Sequence, residues 1–185
     1  MFLSVCNFLT GFHLKKKLYM YSLKKIMTAI FLLVSILSFS ANFLNSEKNQ
    51  LENVYDSYFL VKESLVKTDS KSVSLNAQKI ITAITAVKME SLKTDEHAIW
   101  MKVAKALLAD AQNIANSQDI DKQRKFFKSL SKNLHDLIKV SKSSEPVYYQ
   151  YCPMEDANWL SREKDIKNPY YGAKMLTCGK TVETL

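Results

Sequence analysis

The sequence predicts an all-α fold: an antiparallel four-helix bundle with an irregular, aromatic-rich C-terminal tail packed on one end. Three observations carry this. From Ala41 to Glu145 the chain has no Gly or Pro, the residues that punctuate turns. Over the same stretch apolar side chains recur at the three-and-four spacing of amphipathic helices. After Ser141 the composition changes abruptly.

The first stripe is Leu51, Tyr55, Tyr58, Val61 and Leu65, with Asn45 or Ser46 as its cap. The second is Val73, Ala77, Ile80, Ile84 and Val87, after Asp69. Trp100, Val103, Leu107, Ala111 and Ile114 form the third, after Thr94. Ile120, Phe127, Leu130, Leu134 and Leu137 form the fourth, after Ser117 or Asp119. Each cap residue carries an oxygen able to accept from the unpaired amides of a first turn. Helices of about 20 residues, each about 30 Å long, joined by short loops, favour up-down-up-down packing.

The tail holds Pro146, Pro153, Pro169, Gly172 and Gly179 together with six aromatics. Val147 to Tyr151 has strand-like composition, and Asn168-Pro169 reads as a turn. Its aromatics are expected to fold back on the bundle, because left in water they would form a large apolar patch. The expected organisation is therefore residues 42–145 as the bundle and 146–185 as a tail completing the same domain.

Ahead of the bundle, Lys15, Lys16, Lys17, Lys24 and Lys25 precede an apolar run from Ile26 to Leu37 that ends in small residues Ser38 and Ser40. That is the pattern of a secretory signal peptide, with cleavage expected after Ser40 or Ala41. Because Met20 already opens a well-formed signal, residues 1–19 read as an overlong N-terminal extension. The expected location is periplasmic or secreted, with membrane contact only through the signal segment if it stays uncleaved.

The whole chain carries 26 basic and 18 acidic residues, a net +8. Removing residues 1–41 takes five Lys and no acid, leaving +3. An ordinary solvated surface of that charge argues against nucleic-acid binding, which wants a basic stripe or an aromatic recognition motif. Three glycines cannot supply a Rossmann turn or a phosphate loop, and G-x-S-x-G and H-E-x-x-H are absent. No enzyme is expected.

The remaining chemistry lies in soft donors. Met175 and Cys178 are three apart, and the proline of Cys152-Pro153-Met154 biases Cys152 to an extended backbone, so Cys152 and Met154 point to one side. Two thiolates and two thioethers suit Cu(I) or Ag(I) and suit Mg or Ca poorly. Up-down-up-down topology also places His97, Met101 and His135 toward the pole from which the tail departs, as candidate additional ligands. Spacing leaves two other readings of the cysteines open: a disulfide closing a loop of about 26 residues, or buried inert thiols.

The tail also carries a resemblance. Tyr148-Tyr-Gln-Tyr-Cys-Pro-Met154, Trp159-Leu-Ser161, Ile166-Lys-Asn-Pro-Tyr-Tyr-Gly172 and Lys174-Met-Leu-Thr-Cys-Gly179, with Gln123-Arg124 before Phe126-Phe127, resemble a helical family of uncharacterised bacterial envelope domains. Members occur alone or fused to periplasmic adaptor subunits of heavy-metal efflux pumps. The Tyr-x-Cys-Pro-Met core is similar to heavy-metal-binding segments of copper-handling proteins, with Glu155 where those carry His. The resemblance implies a copper-related envelope role, with Cys152, Met154, Met175 and Cys178 as ligands. Tyr151, Trp159, Tyr170 and Tyr171 would support the site by packing. The expected function is binding of copper(I), or of silver(I) or another soft metal, for buffering or for delivery to an efflux adaptor or other envelope copper protein. The alternative is a non-enzymatic interaction module clamped by a Cys152–Cys178 disulfide.

Overall fold

The computed structural model describes residues 50–185. The signal peptide, its extension and the cap at Asn45 or Ser46 lie outside the described residues. Among the described residues no helix is long and apolar enough to cross a membrane.

Four helices form where the apolar stripes lie: α1 (Gln50–Val66), α2 (Ser70–Thr85), α3 (Thr94–Ala115) and α4 (Ile120–Ser141). The stripe residues Leu51, Tyr55, Tyr58, Val73, Ala77, Leu107, Ile114, Phe127 and Leu134 are all at most 1 % exposed, so the helical period read from sequence is the buried face. Asp69 caps α2 by accepting from the Ser72 amide, and Asp119 caps α4 by accepting from the Asp121 and Lys122 amides. Thr94 is the first residue of α3, not its cap: Lys93 holds that position, and its amide donates to the Glu96 carboxylate at 3.1 Å. The second helix is shorter than its stripe. It stops at Thr85, and Val87 packs on the core from the connection that leads into a 3-10 turn, Met89–Ser91.

Consecutive helices pack against one another, α1 on α2, α2 on α3 and α3 on α4. At one end the buried Gln123 amide reaches Ser70 O, Ser74 Oγ and Ser117 O, tying the starts of α2 and α4 to the end of α3. At the other end Gln50 reaches the Lys88 amide and Ser91. The seam between α1 and α4 is joined through buried hydroxyls, Tyr55 with Ser141 and Tyr58 with Ser131.

The tail corrects the all-α expectation. It is a three-stranded antiparallel sheet, β1 (Tyr148–Cys152), β2 (Ala157–Ser161) and β3 (Lys180–Thr184), in the order β2-β1-β3. A hairpin joins β1 to β2, with Tyr148 opposite Ser161 and Cys152 opposite Ala157. Its turn places Asp156 at φ 48°, a conformation Asp tolerates better than most residues. β3 returns alongside β1 with a bulge at Tyr149/Gln150.

The sheet does not sit on the end of the bundle. It lies along the flank of α4 and α1, because β1 runs back down α4 instead of continuing outward. Tail contacts extend from Arg124, which donates to Pro169 O at 3.0 Å, through Lys128, which pairs with Glu155, to Lys139, which pairs with Glu183 at 2.9 Å. That span of α4 is about 22 Å at 1.5 Å per residue. Arg162 fixes the other side: it bonds Glu52 at 3.0 Å and Asp56 at 2.5 Å, and covers the Phe59 ring at 4.6 Å.

Candidate metal centre

Cys152 ends β1 and is fully buried, while Cys178 precedes β3 and is half-buried. Their sulfur atoms lie 3.9 Å apart, and both are free thiols. The pairing follows from the sheet. Tyr151 is registered with Lys180, so the residues just beyond that pair, Cys152 on one strand and Cys178 on the approach to the other, are brought to the same place.

Three local features hold Cys178 there. Its amide donates to Met175 O at 3.1 Å, so Met175-Leu-Thr-Cys178 is a tight turn following the 3-10 segment Gly172–Met175. Its carbonyl accepts from the Asn168 side chain at 2.8 Å, and Asn168 is wholly buried. Gly179 next to it approaches Trp159 so closely that a Cβ there would lie 2.8 Å from the indole ring. Burial, then the adjoining Cys152 thiol, pushes the Cys178 thiol above its ordinary range, while an amide bond from Met154 works in the opposite sense. The residue after Pro153 thus approaches the pair through its backbone, and Met154 as a whole is 63 % exposed at the hairpin turn. Met175 is half-buried.

The aromatics divide into two kinds. Trp159 and Tyr170 are buried and pack edge to face at 6.0 Å; Tyr170 in turn meets Phe127 of α4. Tyr151 and Tyr171 are only half-buried, and their hydroxyls reach carboxylates, Tyr151 to Asp156 at 2.8 Å and Tyr171 to Glu155. Asn168, read from sequence only as part of a turn, and Gly172, read only as part of the tail motif, prove to be the scaffold. The Gly172 amide donates to Asn168 O at 3.0 Å, and Gly172 sits at φ 56° against Thr68 Oγ1 and Val66 O, where no Cβ fits.

That docking places the cysteines toward the α1–α2 turn, and it separates them from the candidate additional ligands. His97 and Met101 are exposed on the first turns of α3, at the opposite end of the bundle. Pole sharing fails because the tail leaves α4 at that end but carries its cysteines back toward the other. His135 is engaged otherwise: its ring stacks on Tyr149 at 3.8 Å and its Nε2 lies 2.8 Å from Glu183, so it clasps β3 to α4. Among the described residues no group of three or more His, Cys, Asp or Glu side chains is arranged to hold a metal ion. Of the ligands expected from sequence, the side chains that the structure brings into contact are the two thiols.

No curated protein and no solved structure matches the chain. A family model does match, over residues 54–145, and the match ends before the tail that carries the cysteines. The matching model is that of DUF3347, described as a protein of unknown function, and it takes in most of the four helices of this fold.

Proposed function

We propose that the protein binds a soft metal ion, Cu(I) or Ag(I), at Cys152 and Cys178, and buffers it or hands it to a heavy-metal efflux adaptor or another copper protein of the bacterial envelope. The observation that carries this reading is the pair of free thiols 3.9 Å apart. With metal–sulfur bonds of about 2.3 Å, sulfurs so spaced subtend about 116° at a shared ion, between tetrahedral and trigonal angles. A disulfide would require the sulfurs to close to about 2.05 Å.

The donor set supports a soft ion. Thiolate and thioether sulfur favour Cu(I), and neither suits a hard cation. Cys152 anchors the site from the core, Cys178 faces the surface, and Met154 stands outermost at the hairpin turn, in reach of an acceptor. Trp159 and Tyr170 exclude water from behind. The role is non-enzymatic, and the secretory pattern ahead of the bundle supports the envelope.

The same pair also favours a second reading: an interaction module in which oxidation to a Cys152–Cys178 disulfide clamps the tail. One preparation separates the two. The full chain, reduced and kept anaerobic, is offered Cu(I), Ag(I) and Zn(II) in competition with a chelator, and its thiols are counted. Retained Cu(I) that is lost in Cys152→Ser and Cys178→Ser supports the metal site. Failure of the reduced chain to retain Cu(I), with no free thiols in the protein as isolated, supports the clamp.

A further inference from the structure

Positive charge is concentrated on one helix. α4 carries Lys122, Arg124, Lys125, Lys128, Lys132 and Lys139 against Asp121 and Asp136, a net +4. Residues 50–185 as a whole carry 20 basic and 17 acidic residues, a net +3, so everything outside α4 is slightly acidic. The basic side of α4 faces the tail across two hollows. One is lined by Arg124, Lys125, Glu155, Tyr171 and Lys174 with Asp121, which pairs with Arg124 at 3.4 Å, the other by Ser129, Lys132, Tyr149 and Asp156, and Lys128 lines both. They form one groove.

Part of this charge is used internally. Arg124 holds Pro169 and Thr68, and Lys128 pairs with Glu155. Lys125, Lys132 and Lys174 are exposed and have no ion-pair partner among the described residues. Lys125 and Lys132 are two helical turns apart, about 10 Å. Three ammonium groups without an ion-pair partner, along a concave, tyrosine-walled groove whose basic residues outnumber its acids five to three, suit carboxylates spaced on an extended peptide better than a flat bilayer.

The groove adjoins the thiols. Ala157, which lines it, stands opposite Cys152 across the hairpin, and Lys174, which lines it from the other side, precedes the Met175 carbonyl that accepts from the Cys178 amide at 3.1 Å. We infer that the groove between α4 and the tail is the docking surface for an extended acidic segment of the protein that exchanges metal with Cys152 and Cys178. This inference rests on the soft-metal reading above. Charge steering of such a segment would raise the rate of productive encounter, and the steering would weaken with salt.

The test uses the full reduced chain and a fluorescent oligoglutamate peptide, followed by anisotropy, with Cu(I) retention measured on the same samples. The expected result is binding that weakens as salt is raised from about 20 to 200 mM. Reversing Lys125, Lys132 and Lys174 to Glu should weaken it about tenfold or more, with circular dichroism and Cu(I) retention unchanged. Replacing the same three by Gln should give an intermediate loss. Reversal of Lys71, Lys79 and Lys102, exposed on α2 and α3, should leave peptide affinity within about twofold of the parent. Absence of peptide binding at low salt, equal losses in the two reversal sets, or tighter binding to phosphatidylglycerol vesicles than to the peptide would each overturn the inference. Loss of Cu(I) retention with peptide binding intact would instead defeat the metal reading.

Discussion

The backbone amide of Leu160 donates to the Tyr58 hydroxyl at 3.0 Å, so a side chain of α1 closes the outer edge of β2. Tyr170 does the same one step along, donating to Asn158 O. An unpaired strand edge is a liability, and here hydroxyls from the bundle and from the tail itself satisfy it. Tyr58 also shares a hydrogen bond with Ser131 of α4 at 2.7 Å and stacks on Phe127 at 5.0 Å, so one residue joins α1, α4 and the sheet. Burial pushes its hydroxyl well above the ordinary tyrosine range, which keeps it neutral.

Tyr58→Phe should therefore do more than remove one bond. It leaves a buried amide at Leu160 without its partner, a loss of about 1–3 kcal/mol. Urea denaturation should show that fall, with amide exchange at Leu160 accelerated. Tyr149→Phe, at a half-buried position, should change stability by less than about 0.5 kcal/mol.

Gly172→Ala should destabilise by more than about 1 kcal/mol, since the backbone there is left-handed and the new Cβ would meet Val66 O, which cannot move aside as a side chain could. The consequence should reach the thiols, because Gly172 holds Asn168 and Asn168 holds the Cys178 carbonyl. Chelator competition should show weaker Cu(I) retention in this variant, whereas Ala173→Ser, at an exposed neighbour, should match the parent.

Much of the bundle was legible in sequence because burial on a helix leaves a periodic trace, and the caps Asp69 and Asp119 act through their own side chains. Thr94 misled because the start of α3 is satisfied from inside the helix, by Glu96 reaching back. The sheet was only a third visible. Val147 to Tyr151 has strand composition, but β2 buries Ala157, Trp159, Leu160 and Ser161 on both faces and so shows no alternation. β3 is mostly exposed and finds its partner far back in the chain. That the two cysteines come together was readable from their places in the tail. Their separation from His97 and Met101 was not, because the direction of β1 depends on Tyr58, Arg124 and Arg162, whose tail contacts leave no local pattern.

The β3 clasp should be sensitive to acid. Lys139, then His135, hold the Glu183 carboxyl below its ordinary 4.5. A carboxyl whose folded value is depressed contributes stability that is fully present above the unfolded value and lost as pH falls through the folded one. Below pH 4.5 the clasp should weaken, and hydrogen exchange in Lys180–Thr184 should accelerate before exchange in α2 or α3 does. Glu183→Gln should abolish this early acid phase and give the faster exchange at neutral pH as well.

Oxidation should convert the free thiol pair into a clamp. A two-electron oxidant such as a disulfide reagent accepts the electrons, both thiol protons are released, and a Cys152–Cys178 bond forms once the sulfurs close from 3.9 Å. Closing a loop across 26 positions should stabilise the fold by about 3 kcal/mol in the chain-entropy view. The oxidised chain should therefore unfold at higher urea and retain no Cu(I), and reduction should reverse both. Prior loading with Cu(I) should protect the pair from the oxidant, because both thiolates are then engaged. Thiol counting after timed oxidation, with and without Cu(I), measures this directly: protection places the metal on the two cysteines, and equal oxidation rates would mean that any retained metal sits elsewhere.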